Sequence, residues 1–193
     1  MKSRFPAFAI PGLLALAVSL VALPASADRE DRFRTKLRGF EEVPVVSTVA
    51  TGEFEAKISD DEQLIEWKLS YTGLQGDVTQ AHIHVAQKGV NGVIVIWLCG
   101  TGAPGGPLAG PAGTQTCTPG SGEFEGVIEA ANVVAPTPAP QQILAGELAE
   151  VIAAMRAGVA YANVHSSLSP GGEIRGQIGD RKSGHGHDGH QGH

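Results

Sequence analysis

The chain has 193 residues, enough for one domain of ordinary size, with 20 acidic and 14 basic side chains and a formal net charge of −6. This acidic balance, without a basic patch in the sequence, argues against nucleic acid and anionic membranes as partners. Aromatic residues make up 5% of the chain, against 26 glycines and 12 prolines. Such a composition favours a β-sandwich with many turns over a helical bundle.

The first 27 residues have the pattern of a secretory signal peptide. Lys2 and Arg4 supply a positively charged start, residues 7–23 are largely apolar, and the Ala-Ser-Ala of residues 25–27 is a typical cleavage site. No later segment is long and apolar enough to cross a bilayer. We therefore expect export to the periplasm or the extracellular space, with one domain over residues 28–179.

Eight short segments have the alternating or wholly apolar pattern of β-strands. Residues 142–157 instead place apolar side chains at helical spacing, and Gly158 stands where a helix C-terminal cap is expected. This order predicts an all-β fold, an antiparallel β-sandwich of Greek-key type with one short helix. The predicted strands are residues 33–40, 50–58, 64–71, 79–85, 93–98, 122–128, 159–165 and 173–178.

The two cysteines, Cys99 and Cys117, enclose a Gly- and Pro-rich segment. An even number of cysteines in an exported chain predicts one disulfide. On the chain-entropy model, closing this loop stabilises the fold by roughly 3 kcal/mol. The alternative, two metal thiolates, is less favoured because no histidine or further cysteine lies beside them in the sequence.

His82 and His84 lie two residues apart in a predicted strand, so they point to the same face. His165 lies in a second predicted strand, and a sandwich can bring it close to the first two. Three imidazoles in one place would bind a transition-metal ion and leave an open coordination position. Their nitrogens should then converge to within about 4 Å, given bonds of about 2 Å. The alternatives are structural hydrogen bonds or proton transfer.

Three further residues are candidates for support of this site. Glu173 and Arg175 share a strand face, and Asn163 shares a face with His165. Such residues can orient a metal-binding histidine through hydrogen bonds. The alternative for Glu173 and Arg175 is a surface ion pair of little energetic value.

The last segment, residues 180–193, is polar and lacks large apolar side chains, which predicts disorder. Its histidines are expected to bind nickel, copper or zinc loosely. They are His185, His187, His190 and His193.

Three stretches of the chain resemble the CHRD domain, a module named for its repeats in chordin that also occurs alone in bacterial exported proteins. They are the GFEEVP of residues 39–44, the AHIH of residues 81–84, and the YANVH of residues 161–165 with the SPGGEIRGQ of residues 169–177. The resemblance extends from about residue 34 to 178. It implies an all-β module whose biochemistry is largely unsettled.

A weaker resemblance is to copper-zinc superoxide dismutase, which also has a His-x-His pair on a β-strand and an intrasubunit disulfide. It implies a superoxide dismutase-like version of the sandwich. The predicted ordered body contains only His82, His84 and His165, so a separate zinc site with a bridging histidine cannot be built from it.

The sequence therefore favours an exported, non-enzymatic binding module of the CHRD type. His82, His84 and His165 would hold a transition-metal ion, copper or zinc, and an unidentified protein is the other expected class of partner. Two alternatives stay open. One is a copper-dependent, superoxide dismutase-like oxidoreductase, and the other is a purely structural or adhesive extracellular module.

Overall fold

The computed structural model describes residues 32–102 and 106–179. Eight β-strands and one α-helix, α1, are found in these residues. The predicted signal peptide and the predicted histidine-rich tail lie outside the described residues. The elements are β1 Arg32–Arg38, β2 Thr51–Ile58, β3 Leu64–Thr72, β4 Val78–Val85, β5 Val93–Gly100, β6 Gly122–Glu129, α1 Leu148–Arg156, β7 Ala160–Ser166 and β8 Ile174–Ile178.

The strands pair antiparallel in one continuous sheet of order β5-β4-β7-β8-β1-β2-β3-β6. The predicted all-β antiparallel fold with one short helix is confirmed. The sheet is barrel-like and nearly closed, so both layers around the core come from one sheet. We call β5-β4-β7-β8 the histidine half-sheet and β1-β2-β3-β6 the charged half-sheet, after the side chains on their outer faces.

The two half-sheets are joined at both margins. At one margin β8 pairs with β1 through a single register pair, Arg175 with Arg38. At the other, the predicted disulfide is confirmed: Cys99 at the end of β5 is bonded to Cys117, with Cα atoms 5.0 Å apart. The segment that follows Cys117 leads into β6, so the disulfide connects the two edges of the sheet.

Alternate residues of both half-sheets pack into one hydrophobic core. The strands predicted over residues 50–58 and 64–71 pair as a hairpin of β2 and β3, with Phe54 opposite Leu69 and both side chains fully buried. Ile83 of β4 and Val164 of β7 enter the core from the histidine half-sheet. These positions follow the two-residue alternation of each strand.

The helix starts at Leu148, and the predicted start at residue 142 is wrong. Gln142 has a φ of 57° and Gly146 a φ of 88°, which a right-handed helix cannot include. Ile143 is buried all the same, so the apolar spacing before the helix comes from a packed turn. The predicted cap is confirmed: Gly158 has a φ of 71° and its amide donates to Met155 O at 3.1 Å.

The outer faces of the two half-sheets differ in exposure. The charged half-sheet presents its outward residues to solvent, and the basic side chains of β1 lie beside Glu53 and Glu55 of β2. In the histidine half-sheet, all residues of β7 and β8 are buried on both faces. Loops cover the face that points away from the core. These loops are residues 39–50, 86–92, 106–121 and 166–173.

Candidate metal centre

His82 and His84 lie on the outer face of β4, beneath the covering loops. The residues between and before them, Ile83 and Ala81, are fully buried in the hydrophobic core. Because side chains alternate along a strand, both imidazoles point away from that core. Both are nevertheless buried, with 0% and 7% of their surface exposed.

The two histidine-bearing segments, predicted to be neighbours in space, pair directly as β4 and β7. Asn163 lies opposite His82, and His165 follows two residues later on the same face. The ring centroids of His82 and His165 are 4.9 Å apart, and those of His82 and His84 are 5.4 Å apart. The fold therefore brings all three histidines together.

One ring nitrogen from each histidine lies within 4.8 Å of the others. His82 Nδ1 and His165 Nε2 are 3.2 Å apart, close to the roughly 3.3 Å between two nitrogens bound to one tetrahedral ion. The full set is wider than the expected 4 Å. An ion bound by all three would draw the most widely separated nitrogens together by about 1.5 Å.

Backbone carbonyls fix the orientation of two of the rings. His84 Nδ1 lies 3.1 Å from Gly92 O, and His165 Nδ1 lies 2.9 Å from Pro170 O. A carbonyl oxygen only accepts hydrogen bonds, so each Nδ1 carries the proton and donates it. In both rings Nε2 is then left with a free lone pair, which is the arrangement of a metal-binding histidine.

The ring of His82 is oriented by another histidine and not by a backbone carbonyl. Because His165 Nε2 has no proton, His82 Nδ1 must donate to it across the 3.2 Å contact. His82 Nε2 and His84 Nε2 are then buried nitrogens with no hydrogen-bond partner in the described part of the chain. Buried polar atoms without a partner are uncommon and costly. Two of them on adjacent rings indicate a site for a further group.

Burial keeps the three rings uncharged. Burial, together with the smaller effects of the neighbouring His165 and His84, lowers the pKa of His82 to about 2. Burial also lowers the pKa of His84 to about 4, against the opposing effect of the hydrogen bond to Gly92. The pKa of His165 is lowered by burial as well. At neutral pH all three imidazoles are therefore in the form that binds metals.

Two aromatic rings form walls of the centre. Trp97 of β5 meets His82 edge-on, with ring centroids 4.2 Å apart. Tyr161 of β7 stacks on His84, with centroids 4.7 Å apart and planes 2° from parallel. The guanidinium of Arg175 lies over the Tyr161 ring, 3.4 Å from its centroid.

Residues 33–178 match the family model of the CHRD domain. The chain belongs to the CHRD domain family. The match runs from β1 to β8 and includes the three histidines. Neither a curated protein nor a solved structure gives a significant match to the chain. Within the described ranges, no helix has the length and apolar character to cross a membrane.

Glu173 of this CHRD domain fastens a loop beside the histidines. Its carboxylate accepts hydrogen bonds from the hydroxyls of Thr48 and Ser166 and from the amide of Gln75. Glu173 and Arg175 are 1% and 2% exposed, so the alternative of a surface ion pair is wrong. The bond to Ser166 holds the start of the turn whose Pro170 carbonyl orients His165.

Arg175 and Asn163 tie two other loops to the CHRD domain's histidine half-sheet. Arg175 donates to Val90 O at 2.7 Å and to the Asn91 side chain at 3.1 Å. These contacts hold the turn that contains Gly92, whose carbonyl orients His84. Asn163 donates to the Glu42 carboxylate. The contacts of the three predicted supporting residues thus go to the covering loops.

Sequence reasoning missed Glu42, Trp97 and Tyr161 as parts of the site. Glu42 is 4% exposed, and burial raises its pKa to about 7 although the charge of Arg175 lowers it. Its partner Asn163 is 121 residues away in sequence, so no local pattern connects the two. The available signal was the GFEEVP block itself, which forms part of the resemblance to the CHRD domain.

Proposed function

We propose that this CHRD domain is an exported, non-enzymatic binding module that holds one transition-metal ion through His82, His84 and His165. The observation that carries the proposal is the convergence of three neutral, buried imidazoles, two of which have a buried Nε2 without a partner. An ion bound by His84 Nε2, His165 Nε2 and His82 Nδ1 would give His84 Nε2 a partner and would replace the proton between the other two rings, which would move to His82 Nε2. Copper and zinc are among the metals that imidazole ligands bind.

A purely structural role for the histidines explains less of the geometry. Hydrogen bonds to Gly92 and Pro170 account for one nitrogen of His84 and one of His165. They leave His82 Nε2 and His84 Nε2 buried without compensation, where apolar residues would pack at lower cost. Metal binding gives His84 Nε2 a partner and joins the three rings through one ion, which supports the proposal over a structural or adhesive module.

The burial of the centre supports a binding role over catalysis. His82, His84 and His165 expose 0%, 7% and 8% of their surface, which leaves little room for a substrate to reach a bound ion. We therefore expect a copper-loaded form to dismutate superoxide no faster than the same amount of free copper. A rate well above free copper would favour the superoxide dismutase-like alternative.

Export is supported by the pattern of residues 1–27 and by the disulfide, since disulfides persist in oxidising compartments. The supporting roles of Asn163, Glu173 and Arg175 are to keep the loops closed over the three rings. The four tail histidines would form a weaker, exchangeable site separate from the centre.

Metal content distinguishes the centre from the tail. The starting protein is the full chain with all four tail histidines replaced by asparagine, loaded with copper or zinc and desalted. We expect about one ion per chain. Adding His82→Asn, or separately His165→Asn, should remove it, while Lys68→Gln on the opposite half-sheet should leave it. Unchanged metal content in both histidine variants, with a native circular dichroism spectrum, would contradict the proposal.

A further inference from the structure

The candidate centre offers only uncharged ligands. In the described residues, the group able to hold an ion consists of His82, His84 and His165. Both cysteines are in the disulfide. The buried carboxylates nearby have other partners, since Glu42 accepts from Asn163 and Glu173 accepts from two hydroxyls and an amide. A bound ion would therefore keep its full formal charge.

Because the centre is buried, the charge of the ion determines the cost of moving it out of water. The cost of moving an ion from water into a low-dielectric interior rises with the square of its charge, so a divalent ion pays about four times the cost of a monovalent one. Thiolate or carboxylate ligands offset this cost in many zinc sites, and a zinc ion held by three histidines keeps a water molecule in its fourth position. Three neutral imidazoles, none more than 8% exposed, provide no such compensation.

A fixed positive charge adds to this discrimination. The guanidinium of Arg175 lies over Tyr161, which stacks on His84. Arg175 is buried, so water screens its repulsion of a nearby positive charge only weakly. A cation bound beside His84 meets the same repulsion, which doubles when the charge of the ion doubles.

The number of ligands in the centre also favours a monovalent copper ion over zinc. Zinc is almost always four-coordinate in proteins and would need a fourth ligand or a water molecule. Trp97 and Tyr161 pack against His82 and His84 and offer no such ligand in their place. Cu(I), a monovalent ion with a filled d shell, is stable with three nitrogen donors and without water.

We propose that the three-histidine centre selects the monovalent ions Cu(I) and Ag(I) over Zn(II) and Cu(II). This inference rests on the proposed function, because it concerns the same site. On this inference, the domain binds reduced copper and does not serve as a site for divalent metals. The selectivity comes from three neutral ligands, burial, the charge of Arg175 and the two aromatic walls.

The test is a set of competition titrations on the full chain with the four tail histidines replaced by asparagine. Cu(I) is kept reduced without oxygen, Ag(I) serves as its redox-inert substitute, and chromophoric chelators report free Zn(II) and Cu(II). We expect one Cu(I) or Ag(I) per chain, with a dissociation constant at least about 100-fold below those of Zn(II) and Cu(II). Zinc binding as tight as Cu(I) would overturn this inference and leave the proposed function standing. No binding of any ion would overturn both.

Arg175→Gln tests the electrostatic part of the inference, with Arg34→Gln on the exposed face as the matched control. Removing the buried charge should strengthen Zn(II) binding more than Ag(I) binding and reduce the selectivity ratio by about 10-fold. Arg34→Gln should leave the ratio unchanged. An unchanged ratio in a folded Arg175→Gln protein would contradict the assigned role of Arg175. If that variant does not fold, the comparison of ions on the parent chain still decides the inference.

Discussion

The outer face of each half-sheet carries a row of side chains that are neighbours across four strands. One row is exposed to solvent, and the other lies beneath loops. On the charged half-sheet, one row runs Arg34, Glu55, Lys68, Glu125 across four strands. These side chains alternate in charge and are 46–74% exposed. On the histidine half-sheet, the corresponding row runs Arg175, Asn163, His82, Trp97 across four strands.

The difference shows that covering a polar sheet face with loops changes which side chains it can hold. Exposed ion pairs such as Lys68 with Glu125 are individually weak, and water solvates them. Beneath loops, the same strand positions hold neutral rings and fully hydrogen-bonded groups, because an uncompensated buried charge is expensive. Burying a polar face costs more than burying an apolar one. The three buried histidines on this face therefore favour the proposed metal ion over a purely structural role.

The first test of this comparison is the stabilisation that metal provides. Saturating metal, at about 1,000 times its dissociation constant, should raise the free energy of unfolding of the tail-substituted chain by about 4 kcal/mol. His165→Asn should abolish the increase because it removes one of three ligands, whereas Lys68→Gln should preserve it. Urea unfolding with and without metal measures the effect. Equal stabilisation of both variants would erase the distinction between the two faces.

The second test compares one arginine from each face. Arg175→Met should cost about 3 kcal/mol of stability, because it removes the cation near the buried Glu42 and two hydrogen bonds to a loop. Adding Glu42→Gln should restore part of the loss, since the buried carboxyl then no longer needs a counter-charge. Arg34→Met, at an exposed pair with Glu53 and Glu55, should leave the unfolding midpoint unchanged. Similar losses for Arg175 and Arg34 would contradict the comparison.

The third test is the pH dependence of stability in metal-free protein. The folded-state pKa values of the three histidines lie below their ordinary value. Their contribution to stability is therefore present above pH 6.5 and lost as the pH falls, because the unfolded chain then binds more protons. Glu42 acts in the opposite sense, since its folded pKa is raised to about 7.

We expect a net loss on the order of 2 kcal/mol between pH 7 and pH 5.5. The loss should be smaller in His84→Asn. On the charged face, Arg34 lowers the pKa of Glu53, so that carboxylate affects stability only below about pH 4.5. Denaturation curves at pH 5.5, 6.25 and 7 measure the slope. Stability that is flat or rises toward pH 5.5 would show that the histidines are not held neutral by burial.

Local patterns were sufficient for the strands and for part of the site. The alternation around Phe54 and Leu69 predicted the strands that contain them, and the spacing of His82 and His84 predicted a shared face. The helix start was missed because Gln142 adopts a positive φ that its residue type does not signal. Loop coverage could not be predicted, because it depends on contacts such as Glu42 with Asn163, 121 residues apart.

The central claim is that His82, His84 and His165 bind one ion together beneath the loops. X-ray absorption at the copper edge, on the full chain with the four tail histidines replaced and loaded under reducing conditions, tests it most directly. We expect three imidazole nitrogens at about 2 Å from copper, with the outer-shell scattering of their rings. A first shell dominated by oxygen, or one that contains a single imidazole, would contradict it.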